Sequence, residues 1–173
     1  MGTDKSRLPV GEKSLIEHVL TQLNPYFEEI LISSGDTKRF ASLGVKTVPD
    51  RIPGKGPVMG LMSAIQASSN NVTFVQACDI PQTDFALIKK MLTSCKSHDA
   101  VVPRDPRGHI EPLFAVYKKD ALQAMKHVFE NENGRASRIV AHCNARFIDL
   151  DSEGQLRNLN TMEDYRIFLN KCT

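Results

Sequence analysis

Residues 72–81 read VTFVQACDIP, and the run Val72–Gln76 is apolar and β-branched before it meets a polar break at Cys78 and Asp79. A short apolar run closed by turn residues predicts a strand buried in a sheet. On its N-terminal side the same logic gives a helix over 58–68, a strand over 45–48 and a short helical stretch at Thr37–Leu43. Before those, 29–33 carries Ile30, Leu31 and Ile32 in succession, as in a strand covered on both faces. Leu15–Leu23 shows a helical stripe of Leu15, Ile16, Val19, Leu20 and Leu23, and Ser14 with Glu17 forms a capping box. On the C-terminal side follow a helix at Phe85–Ser94 capped by Thr83 or Asp84, a strand over 100–102, and a strand of alternating character over 111–117. Helices over 120–129 and 136–142, a strand over 146–150, and a helix over 162–170 capped by Thr161 complete the chain. Alternating strands and helices predict an α/β fold with a mostly parallel sheet, one domain over 1–173, and ligands bound beyond the carboxyl ends of the strands.

Three places after strands hold unusual residues. Asp79 stands immediately beyond the strand Val72–Gln76, where a hard carboxylate can hold Mg²⁺ against nucleotide phosphates. Position alone leaves a turn or helix-capping aspartate open. Residues 49–60, PDRIPGKGPVMG, place glycines, prolines, Lys55 and Arg51 between a strand and a helix. Gly56 and Gly60 permit close backbone approach, and the helix that follows directs its positive end at anions. An ordinary surface loop has the same composition. Residues 2–8, GTDKSRL, offer Lys5 to a phosphate, although lysines near a terminus are commonly solvated.

Composition narrows the function classes. The 22 Lys and Arg against 20 Asp and Glu give a net charge of only +2 with no basic run, which argues against nucleic acid as a partner. Cys78, Cys95, Cys143 and Cys172 form no C-x-x-C pair, and no signal-like or membrane-length apolar segment is present, so reduced thiols, a cytoplasmic location and no membrane attachment are expected. His142 and Cys143 could face a metal, but no second pair has zinc-like spacing and a structural role is the simpler reading. His18, His98, His109 and His127 carry no assignment. Arg104, Arg107 and His109 read as a solvated turn, and Arg135 and Arg138 stand equally between surface and phosphate contact.

Taken together, MGTDK at 1–5, LISSGD at 31–36, VPD at 48–50, GKGPVMGLMSAI at 54–65, ACDIP at 77–81, EPLFAVY at 111–117 and RNLNTMEDY at 157–165 resemble the MobA-like nucleotidyltransferase family in order and spacing. The resemblance implies a Rossmann-like three-layer sandwich of the nucleotide-diphospho-sugar transferase type. It implies GTP and molybdopterin as substrates, Mg²⁺ as cofactor, transfer of GMP, and release of pyrophosphate. It also implies roles: Lys5 on nucleotide phosphates, Ser34 and Asp50 near the base or ribose, Lys55 and Gly56 in the loop, Asp79 as metal ligand, and Asn158 and Asn160 on the pterin side. Relatives often carry an asparagine after the second strand where this chain has Ser33, Ser34 and Gly35, which weakens the case for guanine. Molybdoenzymes or other cofactor-biosynthesis proteins would be further partners.

Members of the family open with a strand and a loop L-A-G-G-x-S-x-R that would precede residue 1. Its absence is expected to leave two strands without a partner and to make GTP binding weak. The gap would be filled by upstream residues omitted through a late start assignment, which is the preferred reading, by closure of the neighbours, or by a segment of another copy. An exposed edge would favour a homo-oligomer. A cytidylyl- or sugar-phosphate nucleotidyltransferase on the same scaffold is the rival enzyme. A non-catalytic module that binds molybdopterin or docks a molybdoenzyme is the rival of another class.

Overall fold

The apolar runs form the strands expected of them, and the order is the alternating one. A computed structural model describes residues 4–172; Met1–Thr3, the start of the MGTDK segment, and Thr173 lie outside the described residues, as does the side chain of Cys172. A hairpin of β1 (Pro9–Val10) and β2 (Lys13–Ser14) leads into α1 (Leu15–Leu23), followed by β3 (Leu31–Ser34), β4 (Lys46–Pro49), α2 (Pro57–Ala67) and β5 (Val72–Gln76). Then come α3 (Phe85–Ser94), β6 (Ala100–Arg104), β7 (Phe114–Lys118), α4 (Leu122–Asn131), β8 (Ala145–Asp149) and α5 (Met162–Cys172). The caps hold. Glu17 accepts from the Ser14 backbone N–H at 2.7 Å, Asp84 from the Leu87 N–H at 2.9 Å, and Thr161 exchanges hydrogen bonds with Asp164 at 2.9 and 3.1 Å.

A four-stranded sheet has the order β5-β7-β6-β8, with β6 parallel to β8 and β7 antiparallel to both its neighbours. β3 and β4 form a separate parallel pair. Helices cover the larger sheet on both faces. Ala115 and Tyr117 of β7 and Ala100 and Val102 of β6 pack with α2 and α4, whereas Phe114, Val116 and Val101 pack with α3. The alternation expected over 111–117 is therefore not between core and solvent but between two cores. Its first residues make a turn instead of strand, closed by the Phe114 N–H donating to Glu111 O at 3.1 Å. Two stretches expected as helices, Thr37–Leu43 and Ala136–Ala141, are 3-10 turns, and the β1–β2 hairpin was not legible from its polar residues.

β3 and β5 each present an edge that pairs with no strand among the described residues. Between them lies an apolar cavity of about 520 Å³ lined by every residue of 30–35 and of 73–78. Alternate residues of a strand point to opposite faces, so a lining that takes every successive residue faces the strand's hydrogen-bonding edge. The Thr73 hydroxyl, on that lining, is buried with no hydrogen-bond partner. Of the three outcomes expected for the gap, closure of the neighbours does not occur.

Candidate active site

The end of β5 turns sharply because the Ile80 N–H donates to Ala77 O at 3.1 Å, and this turn sets Asp79 at the mouth of the sheet. Its position is fixed from two sides. The Ala77 N–H donates to Leu113 O beside β7 at 2.7 Å, and the Leu159 N–H donates to Asp79 O at 2.7 Å. The second bond brings the loop before α5 across the end of the strand. That loop is held in turn by a buried cluster of Val10, Leu15, Leu159, Tyr165 and Phe168, in which the Tyr165 hydroxyl donates to Pro9 O. The same cluster anchors the segment that carries Lys5.

Lys5 Nζ consequently reaches Asp79 Oδ2 at 2.9 Å and Asn160 Oδ1 at 3.2 Å. The Lys5 and Asp79 side chains keep 25% and 28% of their surface exposed, so the pair is open to a ligand. Asp79 Oδ1 accepts no hydrogen bond among the described residues. Beside it, burial first and the Asp79 charge second push the Cys78 thiol above its ordinary value, which keeps it protonated and unsuited to act as a nucleophile. Asn158 turns elsewhere, donating through Nδ2 to Glu111 Oε2 at 2.8 Å.

A second group of residues stands on the β3–β4 side of the cavity. Ser33 Oγ donates to Asp50 Oδ1 at 3.2 Å and to Gly60 O at 3.0 Å. Ser34 Oγ donates to Asp36 O at 3.1 Å, closing the turn after β3. Gly56 caps α2 with φ +78°, a left-handed conformation that suits glycine, and Pro57 opens the helix. Ser34, Asp50 and Gly56 line the same cavity as Ser6 and Cys78, the neighbours of Lys5 and Asp79. Lys55 is exposed on its loop and makes no side-chain contact with the others among the described residues.

The sequence reading missed the roles of Ser33 and Glu111, and it gave Gly60 close backbone approach to a ligand where the structure uses it to make room for Ser33 and Asp50. Glu111 had no local signal, since its partner Asn158 is 47 residues away. Gly60 is needed for space: a Cβ there would lie 2.9 Å from Ser33 Oγ and 3.2 Å from Asp50 Oδ1. Gly60→Ala is accordingly expected to displace Asp50, and if Asp50 meets the nucleotide as the resemblance implies, to raise the nucleotide KM about tenfold, or about 1.4 kcal/mol, with kcat less affected. Steady-state kinetics checks this, and an unchanged KM would show that Asp50 does not touch the nucleotide.

The family described as MobA-like NTP transferase domain matches residues 1–147. A relative from Pelotomaculum thermopropionicum, named "Probable molybdenum cofactor guanylyltransferase", is 32% identical over 163 residues, which cover 94% of this chain and 78% of that one. The crystal structure of molybdopterin-guanine dinucleotide biosynthesis protein A from Archaeoglobus fulgidus superposes with a TM-score of 0.80 at 20% identity, over 99% of this chain and 91% of that one. A Mycobacterium tuberculosis protein solved in complex with manganese gives a TM-score of 0.73 at 15% identity, over 98% and 93%. At those identities the two structures bear on the fold, which is of the nucleotide-sugar transferase type. No helix among the described residues is long and apolar enough to cross a membrane.

Proposed function

Because the chain belongs to the MobA-like NTP transferase family and is thus a nucleotidyltransferase, we propose that it transfers GMP from GTP to molybdopterin, with release of pyrophosphate. The observation that carries the reading is the convergence of Lys5, Asp79 and Asn160 at the end of β5, where the neighbouring Ser6 and Cys78 line a cavity that Asp50 and Gly56 also line. In the reaction an oxygen of the molybdopterin phosphate forms a bond to the GTP α-phosphorus. The bridging bond from the α-phosphorus to the β-phosphate oxygen breaks, and its electron pair leaves with pyrophosphate.

The protein's part is to position the reactants and balance charge. Lys5, already placed between two oxygen ligands, turns its ammonium to the phosphates. The α2 N-terminus at Gly56 offers backbone N–H groups to the same anion. Asp50, held by Ser33, accepts from the base or ribose. Asn160, which shares Lys5 with Asp79, faces the acceptor, and Asn158, turned to Glu111, braces the segment that carries it.

A divalent ion fits the donor set, because Asp79 supplies a hard carboxylate with an unengaged oxygen and phosphates would supply the rest. When bound, such an ion offsets phosphate charge; Mg²⁺ is the proposed species, held by Asp79.

A pyrophosphate-release assay comparing GTP with CTP, and molybdopterin with sugar phosphates, tests the substrates. GTP with molybdopterin is expected to exceed every other pair by at least about a hundredfold in kcat/KM, the discrimination expected of a site that hydrogen-bonds its substrate. Preference for CTP would assign the chain to the cytidylyl reading that Ser33, Ser34 and Gly35 leave open. No turnover with any pair, together with retained molybdopterin binding, would support the non-catalytic reading.

A further inference from the structure

A second polar cluster lies outside this site, at the C-terminal end of α4. His127 is on the last turns of α4, Glu132 is its C-cap residue, and His142 follows the 3-10 turn Ala136–Ala141. Their ligand atoms all lie within 4.8 Å of one another. His127 Nε2 is 3.8 Å from Glu132 Oε1, and His142 Nε2 contacts that same oxygen. Two ligands of a tetrahedral ion with bonds of about 2.1 Å stand about 3.4 Å apart, so His127 and Glu132 need only a small closure, whereas the direct contact between His142 and Glu132 must open to admit the ion.

The carboxylate is oriented for the purpose. Arg138 Nε donates to Glu132 Oε2 at 2.7 Å, which engages one oxygen and leaves Oε1 turned to the two imidazoles. A partner of this kind, outside the ligand shell, fixes a metal-bound carboxylate in known sites. The two rings, with centroids 4.4 Å apart, approach Oε1 together. The neighbouring thiol does not compete, since Cys143 Sγ donates to Ile139 O at 3.5 Å.

We propose that His127, Glu132 and His142 bind one divalent transition ion of the zinc class, with water completing the shell. Two imidazole nitrogens and one carboxylate oxygen suit Zn²⁺ and disfavour Mg²⁺, which requires oxygen ligands. The site is separate from the one assigned to nucleotide transfer and does not depend on that reading. Its position gives it a structural consequence. Glu132 is followed by Asn133 and Gly134, both with positive φ, and the Cβ position of Gly134 is 3.8 Å from Lys55 O. An ion that ties α4 to the 3-10 turn therefore also fixes the loop against which the Gly54–Gly56 segment rests.

Calorimetric titration of the chelator-treated protein with ZnCl₂ tests the proposal, with Co²⁺ absorption as a second readout. The expected result is one equivalent of Zn²⁺, undisplaced by millimolar Mg²⁺, and a Co²⁺ spectrum with visible d–d bands and no thiolate charge-transfer band. His127→Ala alters a half-exposed side chain and should remain folded, yet bind at least tenfold more weakly; Glu132→Gln should do the same. At a fixed concentration Zn²⁺ is expected to raise Tm in the wild type by more than in His127→Ala. Absence of stoichiometric binding, full affinity in His127→Ala, or a thiolate band that places the ion on cysteine would each overturn the proposal.

Discussion

Asp79→Asn is expected to lower nucleotidyl transfer by at least about a hundredfold while the protein stays folded. The substitution keeps the shape of the side chain and removes its charge, and with it both the ionic partner of Lys5 and the carboxylate proposed to hold a divalent ion at the end of β5. Loss of one preorganised electrostatic element at a phosphoryl centre costs a factor of about 10² to 10³ in rate. Stability should hardly change, because a partly exposed ion pair contributes about 1 kcal/mol or less. Circular dichroism and a thermal melt, run beside the activity assay, separate the two effects. Activity within a few-fold of wild type would remove Asp79 from the chemistry.

The largest effect on stability is expected at Phe114. Its ring is fully buried, packs edge-on against Phe74 with centroids 5.0 Å apart, and belongs to the cluster between the four-stranded sheet and α3. Truncation to alanine removes that packing and leaves a cavity, which costs about 3 to 5 kcal/mol. For a chain of this length the corresponding fall in Tm is on the order of 10 °C. Function should suffer as well. Phe114 pairs in register with Gln76, and Leu113 O receives the Ala77 N–H, so loosening β7 also loosens the turn that carries Asp79. Phe114→Ala is thus expected to lose activity at temperatures where it is still folded, whereas Phe114→Leu should retain most of both. A melt shifted by less than about 3 °C would mean that the core between the sheet and α3 does not depend on this residue.

How much of this was legible in the sequence depends on the range of the interaction that fixes each feature. Strands such as Val72–Gln76, the helix Leu15–Leu23 and the caps at Ser14, Asp84 and Thr161 are set by neighbours a few residues away, and they lie where the sequence places them. The reversed direction of β7 had no local signal, because its apolar residues serve two cores at once and read as simple alternation. Its place after a strand singled out Asp79, residues 2–8 offered Lys5, and the resemblance to a known family added Asn160, each as a separate residue. Their meeting needed the fold, since Lys5 and Asn160 are 155 residues apart and are joined through the cluster of Leu15, Leu159 and Tyr165.

The His127, Glu132 and His142 cluster escaped for a related reason. The ligands are spaced irregularly, and only the left-handed turn at Asn133 and Gly134 folds the chain back so that they converge. Lys55 shows the opposite case. A cation in a glycine-rich loop invites a phosphate-binding role, yet its side chain is exposed, and its part in binding rests on the proposed reaction alone.

Crystallography of the protein with GTP and Mn²⁺, collected at the manganese absorption edge, tests the account most directly. An anomalous peak about 2.1 Å from a carboxylate oxygen of Asp79, with the triphosphate against Lys5 and the α2 N-terminus, is the expected result. Nucleotide and manganese bound elsewhere, with the Lys5–Asp79 pair undisturbed, would contradict it.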